Sequence, residues 1–150
     1  MTQIEILAPM DGMVMELEQV PDEVFAKKMA GDGLAIDITG ELAVAPLAGQ
    51  LVKLFPGGHA FVISTEAGVD ILVHVGLDTV ELKGQGFTTL AKEGDRVAAR
   101  APIVRFNREE IIGLGKNLVS PVLSISNGTI TQRRSGPVHA GQDILFTLEF

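Results

Sequence analysis

Histidine is the side chain in this sequence best suited to covalent chemistry, and it is used sparingly. The 150 residues hold three histidines and no cysteine. His59 opens Gly58-His59-Ala60-Phe61-Val62-Ile63, and His74 sits near the end of Asp70-Ile71-Leu72-Val73-His74-Val75-Gly76. Imidazole has an unperturbed pKa of about 6.5, so it offers a neutral, nucleophilic nitrogen near neutral pH. One such nitrogen can attack phosphorus and hold a phosphoryl group through a P–N bond. A second imidazole beside it can donate charge-assisted hydrogen bonds to the phosphoryl oxygens. Transfer of this kind depends on positioning and electrostatics, so it strictly requires neither a metal nor a general base. An apolar rim would exclude water and slow wasteful hydrolysis. On pattern alone, each histidine reads equally as a satisfied residue of an apolar strand.

The elements that must position the histidines are strands. Side chains alternate between faces along a strand. His74 therefore shares a face with Leu72 and Gly76, and His59 shares one with Phe61 and Ile63. The connection around Glu66-Ala67-Gly68 is short enough for the two strands to pair and bring the histidines together. Gly57, Gly58, Gly76, Gly84 and Gly86 would let another chain approach closely. Runs rich in Val, Ile, Leu and Phe predict strands at Gln50–Phe55, His59–Thr65, Asp70–Val75, Ile103–Phe106, Val122–Ser126 and Ile144–Phe150. Helical signals are few. Asn107 can cap a short helix ended by Gly113 and Gly115, and helical turns are expected within Pro21–Met29 and Thr88–Lys92.

A short repeat runs through the chain. Ala8-Pro9-Met10-Asp11-Gly12 and Ala45-Pro46-Leu47-Ala48-Gly49 each read as a Pro-containing turn leading into a strand. Lys92–Val97 and His139–Ile144 form a second pair of similar turns. The expected fold is all-β: one domain over residues 1–150, an antiparallel β-sandwich or flattened barrel with internal duplication and a few short helical turns.

A net charge of −7 argues against nucleic acid, whose phosphates need clustered Lys and Arg. An acidic protein suits a basic partner surface instead. No run approaches the roughly 18 apolar residues needed to span a bilayer, and the first residues lack the basic start of a signal peptide. The expected location is the cytoplasm, without direct membrane insertion.

The stretch His74-Val75-Gly76-Leu77-Asp78-Thr79-Val80-Glu81-Leu82-Lys83-Gly84-Gln85-Gly86-Phe87 resembles the phosphorylation-site motif of the glucose-family enzyme IIA of the bacterial sugar phosphotransferase system. Val20–Ala26, Gly31–Ile36, Val44–Gly49 and His59-Ala60-Phe61 resemble further segments of that family, in the same order. The resemblance implies that His74 is the phosphoacceptor through Nε2 and that His59 supports the phosphoryl group. It also implies that Asp78 and Asp22 face an arginine of the phosphocarrier protein HPr. Val24, Phe25, Phe55, Leu72 and Val80 would form the apolar docking surface. Asp22 also reads as a turn residue after Pro21, and Phe25, Phe55 and Leu72 as core.

The implied activity is a relay: His74 takes a phosphoryl group from phospho-HPr and passes it to the IIB domain of a sugar permease. Phosphorylation state would also choose among regulatory target proteins. No cofactor is implied. Many family members carry a polar residue where this chain has Gly57, so a hydroxyl that orients His59 is absent and a backbone carbonyl or another side chain must serve. A zinc hydrolase is the competing function, suggested by the His74/Asp78 spacing, but no second histidine pair follows and His59 alone would have to complete the three protein ligands. A biotin or lipoyl carrier would need a modified lysine in an exposed hairpin, and none is present. His139 reads as a surface turn residue, and Arg133-Arg134 as a solvated edge.

Overall fold

Alternation of apolar and polar side chains decides where the strands lie and which way they face. The computed structural model describes residues 2–150. In chain order its strands are β1 (Gln3–Leu7), β2 (Gly12–Glu16), β3 (Asp32–Ile38), β4 (Leu42–Val44), β5 (Gly49–Leu54), β6 (Ala60–Ser64), β7 (Asp70–His74), β8 (Phe87–Thr89), β9 (Arg96–Val97), β10 (Pro102–Phe106), β11 (Val119–Ser124), β12 (Thr129–Thr131), β13 (Pro137–Val138) and β14 (Ile144–Glu149). All the ladders between them are antiparallel. Eight strands form one sheet in the order β13-β2-β3-β11-β7-β6-β5-β9, and β1-β14-β12 and β4-β10-β8 form two smaller ones.

One face of the large sheet packs on the small sheets. Ile36, Phe61, Ile63, Ile71 and Val73 meet Ile103, Val104, Phe146 and Leu148 in the main core. Each such side chain, fully buried, contributes about 1.5–3 kcal/mol. The opposite face carries a smaller cluster, in which Ala35, Val119 and Leu123 pack with Leu17, Val20, Phe25 and Leu77. The period of two therefore serves two cores. Ile71 and Val73 point to the large one, while Leu72 packs against the small one.

The expected duplication is present. Read from its two ends, the large sheet pairs β13 with β9, β2 with β5, β3 with β6 and β11 with β7, while β1-β14-β12 mirrors β4-β10-β8. The two Ala-Pro turns exchange hydrogen bonds reciprocally. Leu7 N–H donates to the Pro46 carbonyl at 2.9 Å, and Val44 N–H donates to the Pro9 carbonyl at 2.9 Å. The second pair of similar turns is not part of this symmetry. Val97 pairs with Gly49 as Val138 pairs with Gly12, so Val97 corresponds to Val138 and not to Ile144. Arg100 and Gly141 are equivalent too: their N–H groups donate to Ala45 and Ala8, and both have positive φ, 75° and 71°. The two turns look alike because Gly and Asp serve any tight turn.

Helix is confined to α1 (Glu23–Ala26), α2 (Arg108–Gly113) and the 3-10 turns Leu17–Gln19 and Thr79–Leu82. The Asn107 side chain caps α2 as expected, accepting from Glu110 N–H at 2.9 Å. The helical turn expected at Thr88–Lys92 does not form. Thr88 and Thr89 belong to β8, paired with Arg105 and Val104 of β10, where their β-branched side chains fit a pleated strand.

Candidate active site

His74 is the last residue of β7 and lies on the face that carries the small cluster, with Leu72 two residues before it. The β6–β7 hairpin forms as expected, and its register sets Ala60 opposite His74. His59 reaches the site by a route that alternation did not foresee. Had β6 begun at His59, its ring would point with Phe61 and Ile63 into the main core. The strand begins at Ala60 instead, and the chain before it bends through Gly57 and Gly58, at φ 91° and 90°. The His59 ring thereby comes to 5.3 Å from that of His74, centroid to centroid, with the planes at 73°. The His59 carbonyl accepts from Val75 N–H at 2.7 Å, which ties the bend to the end of β7.

The glycines expected to admit another chain admit this protein's own loops. A Cβ on Gly57 would lie 2.7 Å from the Gly84 nitrogen, and one on Gly84 would lie 3.0 Å from Gly57 Cα. Gly58 abuts Thr89, and Gly86 abuts Ile111. Gly57 thus has a structural reason in this chain: the bend presses on the loop after the 3-10 turn and leaves no room for a side chain.

The two rings differ in their partners. His74 Nδ1 lies 2.7 Å from the Gly76 carbonyl, which can only accept, so the proton sits on Nδ1 and the lone pair on Nε2. Phe25 meets His74 edge-on at 5.2 Å, and Phe55 tilts over His59 at 5.7 Å. Burial pushes the His74 pKa below 6.5, a shift opposed by the Gly76 carbonyl and by the charges of Asp22 and Asp78. Burial also lowers the His59 pKa, with the charge on His74 adding to the effect and the Pro56 carbonyl opposing it. Of the two kinds of group the sequence left open for His59, a backbone carbonyl is the one that acts on its ring.

Of the remaining expected residues, Phe25 and Phe55 lie against the pair and Asp22 and Asp78 act on His74 by charge. Asp22 is a helix cap as well as a charge: its carboxylate accepts from Val24 N–H at 3.0 Å and from Phe25 N–H at 3.4 Å. Asp78 is exposed and opens the Thr79–Leu82 turn from a left-handed conformation, φ 58°. Val24 and Val80 stand out, 47% and 58% exposed. Phe55 and Leu72 are half-buried. Phe25 is buried, so it belongs chiefly to the small cluster.

Three groups here were not legible in sequence: the Gly76 carbonyl, and the buried hydroxyls of Thr79 and Ser120. Thr79 Oγ1 donates to the Val75 carbonyl at 2.6 Å, and Ser120 Oγ accepts from Gly76 N–H at 2.8 Å. A lone serine inside the apolar run Val119-Ser120-Pro121-Val122 is the one signal that pointed toward it.

Residues set aside lie elsewhere. His139 sits on an exposed turn, its Nδ1 3.4 Å from Asp143. The hydrogen bond from the His139 backbone, with Arg134 nearby, holds the Asp143 carboxyl below its usual range. Arg133 is more engaged than a solvated edge: it donates to the Gly33 carbonyl at 3.0 Å and to Asp32 at 2.9 Å. Among the described residues no cluster of three or more His, Cys, Asp or Glu is arranged to hold a metal, so the zinc hydrolase reading finds no support. No helix of the described residues is long and apolar enough to cross a membrane.

Known proteins give the geometry its context. The chain is 40% identical over 147 residues to the PTS system glucose-specific EIIA component of Halalkalibacterium halodurans, a match covering 96% of this chain and 85% of that protein. It is 40% identical over 149 residues to the PTS system N-acetylglucosamine-specific EIICBA component of Escherichia coli strain K12, covering 97% of this chain but spanning only 23% of that protein's length. The solved glucose permease IIA from Mycoplasma capricolum superposes with a TM-score of 0.94 at 37% identity, covering 99% of this chain and 97% of that one, and shares its antiparallel sandwich. Residues 4–130 match the family model for the phosphoenolpyruvate-dependent sugar phosphotransferase system, EIIA 1. The chain therefore belongs to the EIIA 1 family of the phosphoenolpyruvate-dependent sugar phosphotransferase system, a phosphotransferase component built on a duplicated β-sandwich.

Proposed function

We propose that residues 1–150 act as one EIIA type-1 domain that receives a phosphoryl group from phospho-HPr on Nε2 of His74 and hands it to the IIB domain of a sugar permease in the cytoplasm. The observation that carries this reading is the bond from His74 Nδ1 to the Gly76 carbonyl, which leaves Nε2 as the nucleophilic nitrogen with the His59 ring 5.3 Å away. As the Nε2–P bond forms, the bond from phosphorus to the donor breaks and its electron pair leaves with the donor. The His74 ring gains positive charge, which the Gly76 carbonyl, Asp22 and Asp78 favour. His59 donates to the phosphoryl oxygens and offsets their charge in the transition state. The lowered pKa keeps His74 neutral, hence nucleophilic, at neutral pH.

Asp22 and Asp78 would meet an arginine of HPr. Opposite charges ~4 Å apart attract by ~4 kcal/mol at an effective dielectric of ~20, of which desolvation leaves much less as affinity. Val24 and Val80 supply exposed apolar surface for docking beside them. Both complexes are expected to be small, roughly 1,200 Å² or less, and short-lived.

The test is transfer from phosphoenolpyruvate through enzyme I and HPr. His74→Ala should take up no acid-labile phosphate, and His59→Gln should accept phosphate yet pass it to IIB poorly. Phosphate on folded His74→Ala would overturn the assignment. Loss of both steps in folded His59→Gln would make His59 a second nucleophile or a structural requirement.

A further inference from the structure

The four residues that carry the nucleophile, His74 to Leu77, are anchored one peptide at a time. Val75 N–H donates to the His59 carbonyl at 2.7 Å, and Leu77 N–H donates to the Asn117 carbonyl at 2.8 Å. Between them, the Val75–Gly76 peptide is gripped from both sides by side-chain hydroxyls. Its carbonyl accepts from Thr79 Oγ1 at 2.6 Å, and its N–H donates to Ser120 Oγ at 2.8 Å. Ser120 Oγ in turn donates to the Leu118 carbonyl at 2.8 Å, so its rotor is fixed and its lone pair faces Gly76. Thr79 and Ser120 are each 0% exposed. Gly76 then turns through φ 77°, and its carbonyl reaches back to His74 Nδ1. A Cβ at that position would lie 2.7 Å from Thr79 Cγ2, so the turn is closed around the threonine.

We propose that Ser120 and Thr79 are positioning residues for the nucleophile: by clamping the Val75–Gly76 peptide they aim the Gly76 carbonyl at Nδ1 and so hold His74 in the tautomer with Nε2 unprotonated. Neither hydroxyl touches the reacting nitrogen. Their effect passes through one peptide group whose two polar atoms have no water to turn to. A buried N–H or C=O deprived of its partner rotates to find another or remains unpaired at a cost. Either outcome displaces the adjacent carbonyl. The neutral imidazole then loses the acceptor that fixed its proton, and the tautomer with the proton on Nε2, which cannot attack phosphorus, gains population. The consequence for transfer rests on the carrier reading above, whereas the consequence for the tautomer does not.

The experiment reads the two separately. Two-dimensional ¹⁵N–¹H spectra of the ring nitrogens report the His74 tautomer in the free protein, and uptake from phospho-HPr reports the rate. The wild-type chain should show Nδ1–H as the dominant neutral form. Ser120→Ala should show a mixed tautomer and a rate lowered roughly 10- to 100-fold, the range expected of a misaimed reactive group. Ser120→Thr, which keeps the hydroxyl, should restore both. If Ser120→Ala fails to fold, Ser120→Cys fills the space with a weak hydrogen-bonding group, and Thr79→Val removes the other hydroxyl; both carry the same expectation. Wild-type tautomer and wild-type rate in any one folded variant lacking a hydroxyl would overturn the proposal. A shifted tautomer in a chain whose wild type takes up no phosphate would support the clamp and sink the carrier reading instead.

Discussion

At the scale of single residues, the site is two imidazoles held neutral for the same first reason, burial, and tuned by different neighbours. That has a consequence for stability. The folded pKa values lie below the ordinary 6.5, which both rings regain on unfolding. Between the two values the unfolded chain binds more protons, so stability falls as pH drops through about 6.5 and levels off once the folded rings also protonate. Denaturant unfolding followed from about pH 8 to pH 5 should show this slope, and it should flatten in the His59→Gln/His74→Gln double variant. Parallel curves for the two proteins would contradict it. Phosphorylation should move His59 the other way. A group with about two negative charges replaces a neighbour whose positive charge had lowered the His59 pKa, so that pKa rises, as ring-proton titration of phosphorylated and free protein would show.

At the scale of elements, the titratable residues of the proposed site sit where regular elements stop or start. His74 ends β7, His59 precedes β6, Asp22 caps α1 and Asp78 opens a 3-10 turn. On the proposed reading Asp22 serves both as cap and as docking charge, and the two can be separated. Asn is as good a cap as Asp, so Asp22→Asn should keep stability within about 0.5 kcal/mol. The same variant should slow uptake from phospho-HPr and weaken its salt dependence. Asp22→Ala should lose about 1 kcal/mol as well. An Asp22→Asn chain with wild-type rate and salt dependence would remove the charge from the account. The element ends also mark what the sequence could reveal. The hairpin of β6 and β7 was legible because its strands are apolar and β-branched and its connection is short. The face of His59 was not, because alternation describes residues inside a strand and the Gly57-Gly58 bend delays the start of β6 to Ala60, leaving His59 outside it. Thr88–Lys92 was misread as helical, since only β10, remote in sequence, completes its ladder. The Ser120 clamp left only a lone serine in an apolar run as its trace, for a related reason: its partner peptide lies 44 residues away.

At the scale of the molecule, duplication has produced a nested pair rather than two lobes in succession: β4–β10 form one unit, and β1–β3 with β11–β14 form the other around it. β1 pairs with β14 at the far end of the chain, and β7 of the site pairs with β11. A cut near the middle therefore severs the ladders of both halves. Fragments 1–77 and 78–150 should each lack amide dispersion and a cooperative melt, while mixing them should restore both. A fragment that folds alone would contradict the dependence of each unit on strands from both sides of the cut. The repeat was legible in the two Ala-Pro turns because each must start the same strand. The second repeat was matched wrongly, because Gly and Asp mark turns of any origin.

The central claim is that one atom, Nε2 of His74, receives the phosphoryl group. Incubating the chain with phosphoenolpyruvate, enzyme I and HPr, and reading the product by ³¹P–¹H correlation on the imidazole ring, tests it directly. The account predicts one acid-labile phosphoryl group, on Nε2 of His74 and absent from His74→Ala. A phosphoryl group found on Nδ1, on His59, or still present in His74→Ala would contradict it.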